Sequence, residues 1–387
     1  MEWNKINFSQ LPSPCYIIDL DILKSRLEIL KRHCNQVGIR PLLAVKGFPL
    51  AILFEDMAPY LYGISASGLF ESRLGARMGK EVHIHAPAYR LEEMDEILER
   101  CSHIVFNSLG QWTQFRSLVD AGYWHPSIGL RINPEYSEVE VAKYNPCLPY
   151  SRFGVTRKVL DCQDFSGIEG FHLHVMCDQD AGTFARVIEH TVDKFGDVLP
   201  QLSWINFGGG QRLANADYQI EFLQEPLSRL TSKYGLKVYV EPCESLTTEC
   251  GYLVSTVLDI VKNEKETAIL DTSALCHMPD VLEMPYRPDI VFPSSGNVGD
   301  YSYIFAGCSC MAGDVIGEYK LAAPLQVGAR IVFSEMGAYT FARENYFNGI
   351  NHPAVVFYNR TQGFQLVKQF DYQDYEQKYW TQKKKYL

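Results

Sequence analysis

Lys46 stands at the end of the apolar run Pro41-Leu42-Leu43-Ala44-Val45 and is followed by Gly47-Phe48-Pro49. A lysine that ends a buried run carries a charge that is costly to desolvate. It is therefore either paired or has an amine that is easier to neutralise. A neutral amine is the group that attacks an aldehyde to form a Schiff base, and the Gly and Pro behind it mark a sharp turn into the next element. Covalent attachment of an aldehyde cofactor fits this context. The plainer reading is a lysine snorkelling from a strand end or paired with a carboxylate. Glu241 poses a similar question inside Val238-Tyr239-Val240-Glu241-Pro242, because a buried carboxylate without a partner is costly. A protonated ring nitrogen of a ligand would keep it ionised; Arg131 is the alternative partner. His172-Leu173-His174 and His83-Ile84-His85 each put two histidines on one strand face. Both have metal-site spacing, yet no third and fourth ligand accompanies them, and no metal is expected. The 83–85 pair reads as a core or dimer-edge pair, and His174 as a ring stacked on, or hydrogen-bonded to, a ligand. Gly208-Gly209-Gly210 would let backbone N–H groups approach phosphate oxygens. Cys308, Cys310 and Asp314 share a Gly-rich loop, where the bare sequence makes the cysteines inert small hydrophobes.

These residues need elements to bring them together. Apolar, strand-like runs fall at 41–46, 62–66, 81–85, 103–106, 127–132, 168–175, 202–207 and 236–241, with stretches of helical character between most of them. Those stretches include Leu69–Met78, Leu91–Cys101, Gln111–Ala121, Phe184–Leu199 and Tyr218–Tyr234. Eight alternating units predict a closed (β/α)8 barrel, and an open doubly wound sheet is the rival. On the barrel reading, Lys46 ends strand one, Arg131 strand five, His174 strand six and Glu241 strand eight, and the triple glycine follows strand seven. All then lie on the C-terminal face, where barrels of this kind keep their chemistry. The irregular stretch holding Pro134, Pro146, Pro149 and Gly154 reads as a long loop over that mouth. Beyond about residue 245, short runs such as Tyr252–Val261, Thr267–Leu270, Tyr301–Phe305, Arg330–Phe333 and Ala354–Tyr358 alternate with Gly and Pro clusters. The predicted architecture is a barrel over 20–245 and a β-sandwich or β-barrel domain from 1–19 and 246–387, with the strand at Cys15–Asp19 joining the latter.

Composition narrows the function. A chain of 387 residues, 47% of them apolar, is long enough for two cores. Its net charge of −10 argues against a nucleic-acid partner and suits a cationic ligand. No run is long and apolar enough to span a bilayer, and Met1–Pro12 has no signal-peptide pattern. Eleven scattered cysteines without a CxxC pair predict a reduced, cytoplasmic protein. Lys383-Lys384-Lys385 reads as a solvated tail.

Taken together and in order, these pieces resemble a known family. Ala44-Val45-Lys46-Gly47, Phe171-His172-Leu173-His174-Val175, Gly208–Gly210, Glu241-Pro242, the Gly307–Asp314 loop and Glu335-Met336-Gly337-Ala338-Tyr339 follow the sequence of motifs seen in fold-type III decarboxylases dependent on pyridoxal 5′-phosphate (PLP). That group includes the ornithine, arginine and diaminopimelate decarboxylases and has an alanine-racemase-like barrel. The resemblance runs from about residue 14 to about 350. Within the family, Glu241-Pro242-Cys243-Glu244, His277-Met278-Pro279-Asp280, Met284-Pro285-Tyr286-Arg287 and Cys310-Met311-Ala312-Gly313-Asp314 resemble the carboxynorspermidine and carboxyspermidine decarboxylase branch, which serves polyamine synthesis.

The resemblance implies that Lys46 carries PLP, Glu241 keeps the ring nitrogen protonated and His174 stacks on the ring. Gly209, Gly210, the backbone after Pro242 and Tyr339 would hold the phosphate, with Arg131 behind Glu241 and Lys46. Cys310 would protonate the substrate carbon from the other subunit of a homodimer whose active sites are shared. Glu244 stands where ornithine decarboxylases have Arg. With Asp280 and Asp314 it would hold the ammonium groups of a carboxylated triamine and repel a second carboxylate. Met176-Cys177 replaces the family's frequent Gly-Ser, and Cys243 replaces a usual Gly, so the phosphate turn departs from the pattern. The alternatives are another decarboxylase of the same family, a non-catalytic PLP-binding protein, or a metal-dependent barrel hydrolase using His-x-His.

Overall fold

The structure, a computed structural model, describes residues 1–293 and 298–380; Lys383-Lys384-Lys385 lies outside them. Contacts divide the chain into two units, Ser25–Leu246 and Met1–Lys24 with Thr247–Leu387.

Strand β1 (Cys15–Asp19) opens the chain and belongs to the second unit. The first unit is built on β2 (Ile39–Ala44), β3 (Gly63–Ala66), β4 (Glu81–His85), β5 (His103–Phe106), β6 (Ser127–Asn133), β7 (Val155–Thr156), β8 (Gly170–His172), β9 (Trp204–Asn206) and β10 (Lys237–Val240). Eight of them form a closed parallel ring in the order β2-β3-β4-β5-β6-β8-β9-β10, and β7 only extends β6. The closing pair is β10 on β2, with Val238 opposite Ile39 and Val240 opposite Pro41. That pairing removes both edges of the open-sheet alternative. Parallel strands all end on the same side, so the residues after each strand line one mouth. Inside, Leu42, Val105, Trp204 and Tyr239 form a buried cluster. Space for the Trp204 indole comes from two glycines on neighbouring strands. A Cβ at Gly170 would come within 2.0 Å of the ring, and one at Gly129 within 2.4 Å.

The outer helices fall close to the predicted stretches, as Leu91–Arg100, Leu109–Ala121 and Ala181–Phe195. The Tyr218–Tyr234 expectation is corrected. That stretch is a 3-10 turn at Ile220–Leu223, an α-helix at Gln224–Ser228 and a π turn at Arg229–Lys233. Pro226 cannot donate a backbone hydrogen bond, so one regular helix does not run through.

The second unit is a nine-stranded mixed sheet. Its strands are β1, β11 (Gly251–Asn263), β12 (Lys265–Leu270), β13 (Ile290–Phe292), β14 (Tyr301–Ala306), β15 (Val315–Leu321), β16 (Arg330–Ser334), β17 (Ala354–Asn359) and β18 (Gly363–Lys368). β1 joins it as expected, antiparallel to β11 and parallel to β17. A register shift between Val257 and Asp259 lets β11 pair with β1 and β16 in its first half and with β12 in its second. Both faces are apolar, in line with the two-residue period of a strand. Leu253, Phe305, Tyr319 and Phe333 pack in one cluster; Trp3, Ile17, Tyr252 and Val254 pack in another. Among the described residues, no helix is long and apolar enough to cross a membrane.

Candidate active site

The barrel mouth collects the predicted polar residues of the first unit. β2 ends at Ala44, two residues earlier than the sequence suggests, and Lys46 sits in the following turn. Its side chain is exposed, so the desolvation expected of a buried strand end does not apply to it. Its charge still acts on His85, His172, His174, Glu241 and Cys243.

Glu241 follows β10 and is 6% exposed. Its Oε1 accepts a hydrogen bond from Asn206 Nδ2 at 2.9 Å and lies 3.4 Å from His172 Nε2. Burial alone would raise its pKa, but the field of His172 and its contact, then Lys46 and His174, hold the carboxyl well below the usual range. His172, buried on all sides, is itself held below its ordinary value by burial. The carboxylate is the form of Glu241 that these surroundings favour. His85 stacks on His172 with ring centroids 4.6 Å apart, and burial lowers its pKa as well. Sequence reasoning missed Asn206 and His172 as the partners of Glu241. The available signals were a polar residue closing the apolar run Trp204-Ile205 and the shared face of His172 and His174.

Arg131, the alternative partner for Glu241, makes other contacts. The Arg131 guanidinium lies over the Phe153 ring, 4.3 Å from its centroid, and Nη2 donates to the His174 carbonyl at 3.4 Å. Burial lowers its pKa to about 10, with the charge of Glu241 opposing that shift. It supports the segment that carries His174, which lies two residues beyond the end of β8 and not at a strand end as the sequence suggests.

His174 is half-buried, and its Nδ1 accepts from the Gly209 N–H at 2.9 Å. That bond orients the ring and requires an unprotonated Nδ1, in line with burial and Lys46 lowering the ring's pKa. The Gly209 N–H, expected to face a phosphate, is here bonded to His174. All three glycines are needed for close approach. A Cβ would meet His174 Nδ1 at 2.5 Å from Gly208, the Glu241 carbonyl at 2.5 Å from Gly209, and the Met176 carbonyl at 2.2 Å from Gly210. Glu244 begins the short helix after Pro242-Cys243 and is exposed.

Lower in the barrel, Glu81, His83 and His103 bring potential metal-ligand atoms within 4.8 Å of one another. The two rings stack face to face, 3.8 Å apart and 11° from parallel. His83 Nε2 lies 3.1 Å from Glu81 Oε2, and His103 Nδ1 3.1 Å from Ser102 Oγ.

The remaining predicted residues belong to the sheet unit. Cys310 is exposed on the loop between β14 and β15, and its N–H donates to Asn348 Oδ1 at 2.9 Å. Tyr339 is half-buried with φ of 58°. Two of the expected substrate acids are already committed. Asp280 and Glu283 both bond the Arg343 guanidinium. Asp314 is 2% exposed and accepts from Ser273 Oγ at 2.7 Å and from the N–H groups of Leu275 and Ser309 at 3.3 Å. A carboxylate so surrounded anchors its loop.

A closed parallel barrel with a lysine, an ionised buried carboxylate and a glycine turn at one mouth, joined to a mixed β-sheet unit, defines the class. Residues 15–337 match the family model for pyridoxal-dependent decarboxylase, C-terminal sheet domain, and the chain belongs to that PLP-dependent family. Particular relatives follow. The chain is 40% identical over 371 residues to the carboxyaminopropylagmatine decarboxylase of Synechocystis sp., covering 95% of each chain. It is 36% identical over 380 residues to the carboxynorspermidine/carboxyspermidine decarboxylase of Campylobacter jejuni, covering 95% of this chain and 98% of that one. The crystal structure of carboxynorspermidine decarboxylase complexed with norspermidine from Campylobacter jejuni aligns with a TM-score of 0.86 at 35% identity, over 95% of this chain and 100% of that one.

The barrel mouth fits PLP on its own chemistry. A buried carboxylate held ionised beside neutral donors suits a protonated ring nitrogen, and a turn that would clash with any Cβ leaves backbone at close range.

Proposed function

We propose that this protein removes the carboxylate from a carboxylated polyamine, carboxynorspermidine or carboxyspermidine, releasing norspermidine or spermidine. The observation that carries the reading is the full-length likeness to the Campylobacter jejuni enzyme, whose solved structure holds norspermidine. Glu244 supports it, since a carboxylate there favours a distal ammonium and repels a second carboxylate. When bound, PLP supplies an electron-accepting ring for the pair released as the Cα–carboxylate bond breaks.

The protein's residues set up that step. Lys46 would hold the cofactor through its side-chain amine. Glu241, kept ionised by its surroundings, retains a proton on the ring nitrogen. His174, fixed by Gly209, covers one ring face. Gly210, the backbone after Pro242, and Tyr339 hold the phosphate. Arg131 positions the segment that carries His174. Glu244 holds a distal ammonium of the substrate, with Asp280 shared between that role and Arg343. Cys310 of the partner subunit gives a proton to Cα, so the active form is a homodimer. Eleven free cysteines suit a cytoplasmic setting.

A second substrate reading, carboxyaminopropylagmatine, is favoured by the Synechocystis relative. Its distal guanidinium would meet Glu244 in a forked pair. The test is incubation of the PLP-loaded protein with both carboxytriamines, carboxyaminopropylagmatine, diaminopimelate and ornithine, with mass detection of the amine formed. Norspermidine or spermidine as the fastest product is expected. Fastest formation of aminopropylagmatine selects the second reading, and turnover of diaminopimelate or ornithine alone overturns both.

A further inference from the structure

The thiol of Cys310 projects from an exposed loop, so its direction depends on how the backbone is held. Two anchors hold that loop. Asp314 fixes its base through Ser273, Leu275 and Ser309. Asn348 fixes its tip, accepting the Cys310 N–H at 2.9 Å.

Asn348 is itself an unusual backbone position. It has φ of 58° and ψ of 11°, left-handed values inside the turn Phe347–Gly349. Asparagine is among the few side-chain-bearing residues that adopt this conformation readily. The turn is tied down in its own right. Asn345 accepts from the Phe347 N–H at 3.0 Å and donates to the Leu275 carbonyl at 2.8 Å, and its N–H reaches the Cys276 carbonyl at 3.1 Å. Ser273, which caps the Ala274–His277 turn, bonds Asp314 in turn. The hydrogen bonds thus make a circuit that leaves the cysteine loop at Cys310 and returns to it at Asp314.

We infer that Asn348 is the positioning residue for Cys310, aiming the thiol by holding its backbone N–H. This rests on the reading above, in which Cys310 delivers a proton to the substrate carbon. In that step the S–H bond breaks, the C–H bond forms, and the thiolate regains its proton from water. A thiol misaimed by a fraction of an ångström slows proton transfer and leaves substrate binding intact.

Two variants separate aiming from folding. Asn348→Gly retains the left-handed backbone and loses the acceptor; Asn348→Asp retains both. In PLP-loaded protein, kcat and KM for carboxynorspermidine are measured alongside the rate at which iodoacetamide labels Cys310, followed by peptide mass. Exposed Cys162 serves as the internal control. Asn348→Gly is expected to lower kcat about tenfold or more at unchanged KM. It should also change Cys310 labelling several-fold relative to Cys162, and Asn348→Asp should restore both. Wild-type kcat and labelling in Asn348→Gly, or equal damage in Asn348→Asp, overturns the inference. Cys310→Ala tests the underlying reading separately. If it leaves kcat unchanged, Cys310 is not the acid, and the labelling rates alone then decide whether Asn348 aims the thiol.

Discussion

Glu241 is the residue whose state governs the barrel mouth. Its carboxyl pKa lies well below the ordinary value, so its contribution to stability is present above the usual carboxylate range and is lost as pH falls through the lowered value. Asn206 supplies the 2.9 Å hydrogen bond to the charged form. Asn206→Leu should therefore raise the Glu241 pKa by about one to two units, given a charged hydrogen bond of roughly 1.5–3 kcal/mol. In melting curves of the cofactor-free protein, the acid limb should move to higher pH by that amount; an unmoved limb would mean that Asn206 does not hold the charge. Lys46, His174 and Glu241 were legible in the sequence because a charged or aromatic polar residue at the end of an apolar run stands out. Asn206 did not stand out, since asparagine is common where strands end. The burial of Asp314 was not legible, because an acid in a Gly-rich loop looks the same whether exposed or buried. What buries it is Ser273, 41 residues earlier.

At the scale of elements, the barrel was legible almost strand by strand, because buried parallel strands are continuous apolar runs separated by helical stretches. What the pattern did not reveal is how the interior fits together. Trp204 fills the barrel only because β6 and β8 carry Gly129 and Gly170 opposite it. Gly170→Ala would place a Cβ 2.0 Å from a buried indole, and such overpacking costs about 1–3 kcal/mol. The urea midpoint should fall accordingly with an unchanged slope; an unchanged midpoint would show that the indole can move aside. In the sheet unit, β13, β15 and β18 escaped notice for physical reasons. β13 has three residues, β15 is interrupted by Gly317, and β18 is half or fully exposed along its length. None offers the buried apolar run that marks a strand.

For the molecule as a whole, pH and cofactor are the two external variables that bear on the fold. Glu344 is buried in the sheet unit, 3.2 Å from His352 Nδ1, and burial pushes its pKa up to about 9, with a Tyr16 hydrogen bond opposing. Burial likewise lowers His352 to about 4. The pair is then neutral, and the folded chain binds a proton at Glu344 that the unfolded chain has released. Below about pH 6.5 the proton that the unfolded chain holds on His352 offsets this, so stability should decline as pH rises from about 6.5 toward about 9. Glu344→Gln should flatten that decline in thermal melts, and an unchanged slope would assign it to other groups. The cofactor bears on the central claim, that the barrel mouth is a PLP site built around Lys46. Borohydride reduction of the PLP-loaded protein, followed by digestion and peptide mass, tests it most directly. The reduced cofactor's mass is expected on the peptide containing Lys46; that mass on another lysine, or on none, would rule out Lys46 as the attachment point.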